Sequence, residues 1–253
     1  MSNNILQEYS TILEQTKSSL PIAPYDWHAL SKTLPGEWLA YSQFLSEHAG
    51  QLANVINDLR RYIKSLSAWN KVLETMNEEQ EKYNIVTEYV SPLATLTLNM
   101  PYIIRSRFVY SIAHLSHQAN KLKQASWIDD LPIDNKIYFE EADKYSKPWK
   151  KYKKLKLALE KIANKEYDKS THYFRNKYNH RYSSNIEVGL TGFVTRTVNK
   201  EGRVSYGFGY TDPLMLKDII PLLENQCSLC ISAFSRYQDL VHEQTLEINN
   251  TLP

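Results

Sequence analysis

The sequence predicts an all-α helical bundle of long antiparallel helices carrying one inserted β-hairpin near residues 186–210. Three observations predict it. Only 7 of the 253 residues are Gly and the 10 Pro are scattered, which suits long helices better than a turn-rich β protein. Apolar residues recur at spacings of three and four over tens of residues. A single segment is rich in Val, Thr, Phe and Tyr and punctuated by Gly. With 42% apolar residues and 18 Tyr, 7 Phe and 5 Trp, the chain is too apolar to be disordered and long enough for a sizeable core.

Residues 2–18 read as a short amphipathic helix, followed by a loop punctuated by Pro21 and Pro24. After Pro35-Gly36 a long helix begins. Its seam is Trp38, Tyr41, Leu45, His48, Leu52, Val55, Leu59, Tyr62, Leu66, Trp69, Leu73 and Met76, the pattern of a helix packed lengthwise on neighbours. His48 is its one polar member, a type that hydrogen bonds in a core more often than it binds a ligand. A second helix is expected over 78–98, bent or interrupted at Pro92. A third is expected from about Pro101 to Ala125, burying Ile104, Phe108, Ile112, Leu115, Ala119 and Leu122. Residues 127–148 are turn-rich, and basic helical sequence fills about 149–182.

The hairpin is read as Ile186–Val198 and Arg203–Tyr210 joined by a four-residue turn, Asn199 to Gly202. Gly189, Gly192, Gly207 and Gly209 within it suggest bulges or close approach of another backbone. Asp212-Pro213 then caps a final helix to about Leu246, with a seam of Leu216, Ile220, Leu223, Cys227, Cys230, Phe234, Tyr237 and Val241. With no repeat or flexible linker, residues 1–253 read as one domain, in which 1–34 form an N-terminal helix and loop.

The net charge of +2 is unevenly spread. From Lys144 to Arg181 there are thirteen Lys or Arg against Glu160, Glu166 and Asp168, a local +10 that leaves −8 elsewhere. Tyr145, Trp149, Tyr152, Tyr167, Tyr173, Phe174, Tyr178 and Tyr182 interleave with these cations. Clustered cations attract polyanions and aromatic rings offer stacking surfaces, so nucleic acid is the expected partner; the competing reading is a solvated helix face. The start lacks a basic and apolar leader, no run of 18 apolar residues suggests a membrane span, and two cysteines make no disulfide framework. A reducing, cytoplasmic setting without membrane contact is therefore expected.

Several motifs are set aside on their context. Cys227-x-x-Cys230 has redox spacing but falls on an apolar helix seam, and there is no second pair for zinc. His114-x-x-His117 has no carboxylate close in sequence to complete a metal site. Glycine-rich phosphate loops and G-x-S-x-G elbows are absent from the sequence. No metal or cofactor is expected.

The segment that stands out is Thr171-His-Tyr-Phe-Arg-Asn-Lys-Tyr-Asn-His-Arg-Tyr182. A helix places Asn176 and His180 on one face, with Arg175 about 140° around from His180. A histidine near neutrality can move the 2′-hydroxyl proton of RNA, and a forked guanidinium can hold the phosphate as charge develops. Asn176 can fix the imidazole or bond the phosphate.

Arg175-Asn176-Lys-Tyr-Asn-His180 resembles the signature of the HEPN superfamily (higher eukaryote and prokaryote nucleotide-binding domains): Arg, four to six residues, then His, often with Asn, Asp or His after the Arg. The resemblance implies an α-helical domain that forms a homodimer with two motifs facing each other. It implies a metal-independent endoribonuclease of single-stranded RNA, of the kind found in toxin–antitoxin and antiviral defence systems, with an antitoxin or defence partner. Arg175, Asn176 and His180 are then catalytic, and His172, Lys177, Tyr178 and Arg181 contact substrate. Inactive relatives that bind RNA or a nucleotide, or serve as scaffolds, are the alternative.

Overall fold

The protein is described by a computed structural model covering residues 2–27, 30 and 34–252. It is 66% helical, so the two short strands are a minor insertion in a mostly-α fold, as the sequence predicts. By Cα proximity the chain forms two compact units. One comprises residues up to Ser19, Arg60–Asn99 and Asn164–Asn225; the other comprises Leu20–Leu59, Met100–Ala163 and Gln226 onward. Among the described residues, no helix is long and apolar enough to cross a membrane.

The first unit begins with α1 (Ser2–Gln15), whose Tyr9 stacks on Trp69 with ring centroids 4.1 Å apart. Trp69 lies on α2 (Leu39–Thr75), which contributes residues to both units. Leu66, Trp69 and Leu73 of the predicted seam are buried, but so are Ile63 and Val72 beside it, so the helix buries a wider stripe than the seam alone. After α3 (Glu79–Ile85) the helix widens into one π turn at Val86–Val90, where the Ser91 N–H bonds the Val86 carbonyl.

The interruption therefore precedes Pro92 rather than falling on it. Pro92 lacks the N–H that would serve the Glu88 carbonyl, and a turn of five-residue register accommodates that loss. The chain then continues as α4 (Ser91–Ala119) straight through Pro101. The expected break at Pro101 and the expected end at Ala125 are both corrected: Asn120–Leu122 already tightens into a 3-10 turn.

The basic stretch at 149–182 is also broken more finely than expected, into α6 (Tyr152–Leu159), α7 (Lys165–Ser170) and α8 (Phe174–His180), following α5 (Phe139–Ser146). The breaks fall at residues with positive φ, Ala163 (48°), His172 (54°) and Tyr173 (58°). At the end of α7 the His172 N–H bonds the Lys169 carbonyl and the Tyr173 N–H bonds the Asp168 carbonyl, at 3.0 and 2.7 Å. That pairing closes a helix with a left-handed residue, here His172 where glycine is usual. Buried Tyr167, whose hydroxyl donates to the Leu98 carbonyl at 2.9 Å, anchors α7 within the first unit.

The strands are shorter than predicted: β1 (Val194–Val198) pairs antiparallel with β2 (Val204–Phe208). The turn closes between Asn199 and Arg203, one residue later than expected. Asn199 Oδ1 accepts from the Glu201 and Arg203 N–H groups, and Gly202 adopts φ +78°. Asp212 does not cap the last helix, which is α9 (Leu216–Asn249). Its first N–H, at Leu216, bonds instead to the carboxylate of Glu187, a residue with φ 60° whose other oxygen lies 4.0 Å from Lys82 Nζ.

The second unit packs Tyr41, Leu45, Leu52, Ile56, Phe108, Ile112, Phe234 and Tyr237 in its core. A buried polar chain runs through it. Tyr41 Oη donates to Gln244 Oε1 (2.9 Å), Gln244 Nε2 to Ser116 Oγ (3.0 Å), and Ser146 Oγ to Ser116 Oγ (2.8 Å). Such a network satisfies its members only when all are present, which fixes the mutual register of α2, α4, α5 and α9 in this unit.

Candidate functional site

Helix α8 carries the R-x4-H residues. Phe174 is buried and fixes its inner face; Arg175, Asn176, Tyr178, Asn179 and His180 are exposed, and Lys177 is half-buried. The whole motif is helical, so Asn176 and His180 share a stripe with Cβ atoms about 5–6 Å apart. Arg175 and His180 have Cα atoms about 9 Å apart and diverge by about 140° around the axis. Among the described residues, no hydrogen bond joins Asn176 to His180. His172 lies outside α8, exposed in the left-handed turn after α7, and Arg181 is exposed just past the helix end.

Beside α8 in the same unit lies a cleft of about 610 Å3, lined by Thr87, Ser91, Pro92, Thr95, Leu96, Asn99, Tyr178 and Asn179. Thr87, Ser91, Thr95 and Asn99 are each four apart, hydroxyls and an amide spaced from the π turn into the first turns of α4. Among the described residues, no carboxylate lines this cleft. Arg175 lies in azimuth between Tyr178 and Asn179, one turn nearer the start of α8, but is not among the residues lining the cleft. The spacing of four from Thr87 to Asn99 was visible in the sequence, but nothing local marks it as facing α8.

The basic stretch divides between the two units. Lys165, Lys169, Arg175, Lys177 and Arg181 belong with α8, and with Glu166 and Asp168 they give that part a net +3; the other eight cations belong to the second unit. The aromatics divide by burial. Tyr145, Trp149, Tyr152, Tyr167 and Phe174 are core residues, which corrects their reading as stacking surfaces, whereas Tyr173, Tyr178 and Tyr182 are exposed, Tyr182 by 92%. The spacing of three and four from Tyr145 through Trp149, Tyr152, Leu155 and Leu159 is the sequence signal of that buried stripe.

The second unit holds a histidine cluster. His117 Nε2 lies 2.9 Å from Asp129, His114 Nε2 lies 3.5 Å from Asp134, and the Tyr110 hydroxyl donates to Asp134 at 3.0 Å. The carboxylates absent near H-x-x-H in sequence thus arrive from the 127–136 loop. Even so, among the described residues no group of three His, Cys, Asp or Glu could hold a metal ion. His48, stacked on Phe44 and facing His114 and Tyr110, is held by burial at a pKa of about 4, and burial also lowers His114 against the pull of Asp134. Cys227 and Cys230 are buried without a disulfide, and burial pushes the Cys230 thiol up, as for thiols that pack in a core.

Compared with protein families, curated proteins and solved structures, the chain matches none of them.

Proposed function

We propose that the chain binds single-stranded RNA along α8 and cleaves it without metal, as a HEPN-type endoribonuclease completed by a second copy. The observation that supports this most is the polar cleft lined by Tyr178 and Asn179 of α8, with Arg175, Asn176 and His180 exposed on the same helix. Neutral donors and acceptors suit a base and ribose, and the Tyr178 ring suits stacking. His180 serves as general acid and base, Arg175 holds the phosphate, and Asn176, Lys177, Arg181 and His172 contact the strand.

Within one chain Arg175 and His180 diverge, so the pair acting on one phosphate comes from two copies related by a two-fold axis. The reaction then leaves a 2′,3′-cyclic phosphate and a 5′-hydroxyl end. Wild-type protein incubated with RNA in EDTA should cut it, and Arg175→Ala or His180→Ala should each reduce the rate by about a hundredfold or more. Mixing the two inactive variants should restore about a quarter of the activity. Half of the dimers are then mixed, and one of the two sites in each is intact. Uncut RNA with wild type, or undiminished cutting by both variants, refutes the reading. The binding-only alternative predicts salt-sensitive RNA binding with no cleavage in any of these mixtures.

A further inference from the structure

The hairpin leaves one face of apolar side chains in water. In its register Val194 pairs with Phe208, Arg196 with Tyr206 and Val198 with Val204, so these six side chains share a face; Thr195, Thr197, Ser205 and Gly207 form the other. All ten strand residues are exposed, Phe208 by 86% and Tyr206 by 61%. The two rings alone leave about 300 Å2 in contact with water. With three valines beside them, the face reaches the upper range of apolar patches on a monomer, roughly 300–600 Å2. A lone two-stranded ribbon is also only marginally stable in water. Both facts ask for an occupant.

The charges select it. Arg196 sits in the middle of the apolar face, and that face holds no acid. Pairing two hairpins face to face would bury two unpaired guanidinium groups together, which is strongly unfavourable. Across residues 193–210 the charged groups are Arg196, Lys200 and Arg203 against Glu201, whose carboxylate lies 3.8 Å from Arg203. A partner with flat apolar surfaces and regularly spaced negative charge matches both features. Tyr206 and Phe208 stand about 6.8 Å apart along the strand, twice the roughly 3.4 Å rise of stacked bases. The rings therefore suit two successive bases of an unstacked single strand. Arg196, directly opposite Tyr206, is placed to reach the phosphate between them.

We propose that the Val194/Arg196/Val198–Val204/Tyr206/Phe208 face is a stacking platform for single-stranded nucleic acid. The choice of RNA as its physiological strand rests on the ribonuclease reading of α8; the stacking itself does not. The test uses the full chain carrying His180→Ala, so that bound strands stay uncut, with fluorescently labelled oligouridine and oligothymidine 12-mers followed by anisotropy. Tyr206→Ala with Phe208→Ala should raise Kd at least about tenfold for both strands. Tyr206→Trp should retain binding. Arg196→Gln should lower the log–log salt slope by about 0.7.

Both ring side chains lie in water, so an unchanged far-UV circular dichroism spectrum is expected and keeps the comparison interpretable. An unchanged Kd for the double alanine variant, or absence of oligonucleotide binding by the His180→Ala protein, overturns the proposal. So does a shift from dimer to monomer in sedimentation with Kd unchanged, which would make the face a contact between copies. If wild type fails to cut RNA while the hairpin variants still lose oligonucleotide binding, the ribonuclease reading falls and the platform stands.

Discussion

Lowering the pH should destabilise the second unit before its carboxylates titrate, and the cause is His48. The ring stacks on Phe44 and faces Tyr110 and His114 of α4, with Asp134 of the 127–136 loop beyond. Among the described residues its Nδ1 has no hydrogen-bond partner. Burial holds its pKa at about 4 against an ordinary 6.5, with the neighbouring His114 acting in the same direction and Asp134 opposing. A group whose native pKa is depressed in this way binds fewer protons folded than unfolded. For a histidine, stability is full above pH 6.5 and falls as pH drops toward 4.

At about 1.4 kcal/mol per decade of proton affinity, that interval sets a ceiling a little over 3 kcal/mol. The ring keeps partial solvent contact, so screening reduces the expected loss to roughly 2 kcal/mol between pH 7 and 4.5. His114, also lowered by burial, adds to the loss. Asp130 and Asp143 are held below the usual carboxylate value by hydrogen bonds from Lys144 and Lys156, so their contribution is lost only at lower pH. Urea unfolding followed by tryptophan fluorescence at constant ionic strength measures this, with His48→Leu as the comparison. The variant should lose at least half of the pH dependence. A flat wild-type profile from pH 7 to 4.5, or an equally steep one in His48→Leu, would refute the reasoning.

Two further predictions concern polar groups that the sequence did not single out. Gln244→Leu should destabilise by about 2–3 kcal/mol because it strands the buried Tyr41 hydroxyl. Adding Tyr41→Phe should recover about 1 kcal/mol of that, so strictly additive urea-unfolding energies would count against the network. Glu187→Ala should destabilise by about 1–2 kcal/mol, since the Leu216 N–H at the start of α9 loses its acceptor. Faster amide exchange in the first turn of α9 is the expected readout, and unchanged protection there would show that the carboxylate does not hold that end.

The long helices were legible because a 3.6-residue period is local. Tyr41, Leu45, Leu52 and Leu59 of α2, and Leu223, Phe234 and Tyr237 of α9, are buried as their spacing requires. What was not legible depends on contacts far along the chain. The breaks at Ala163 and His172 use left-handed residues that carry no glycine signature. The first is held by a remote group, Gln226, whose Oε1 accepts the Ala163 N–H at 2.8 Å, while the second closes on the nearby Lys169 and Asp168 carbonyls. The cap of α9 comes from Glu187 rather than from the adjacent Asp212-Pro213 for the same reason. On α8 the sequence located the exposed face, but the cleft beside it needs the Thr87 to Asn99 segment, which joins the motif only through the fold.

The division of the basic stretch changes how any RNA affinity on this surface must arise. Read as one +10 segment, it makes phosphate contacts sufficient by themselves. Of that stretch only five cations and two acids accompany α8, so it gives this helix few ionic contacts. Neutralising three phosphates there gives a log–log salt slope of only about −2 for a single strand. Under the proposed reading, tight binding at α8 therefore draws on contacts that salt does not screen, namely stacking on exposed rings and hydrogen bonds in the cleft beside it. In that reading Tyr178, Tyr206 and Phe208 of the same unit would supply the first, and Thr87, Ser91, Thr95 and Asn179 the second. A single-strand site of the proposed kind is expected to discriminate against duplexes, whose bases are already stacked.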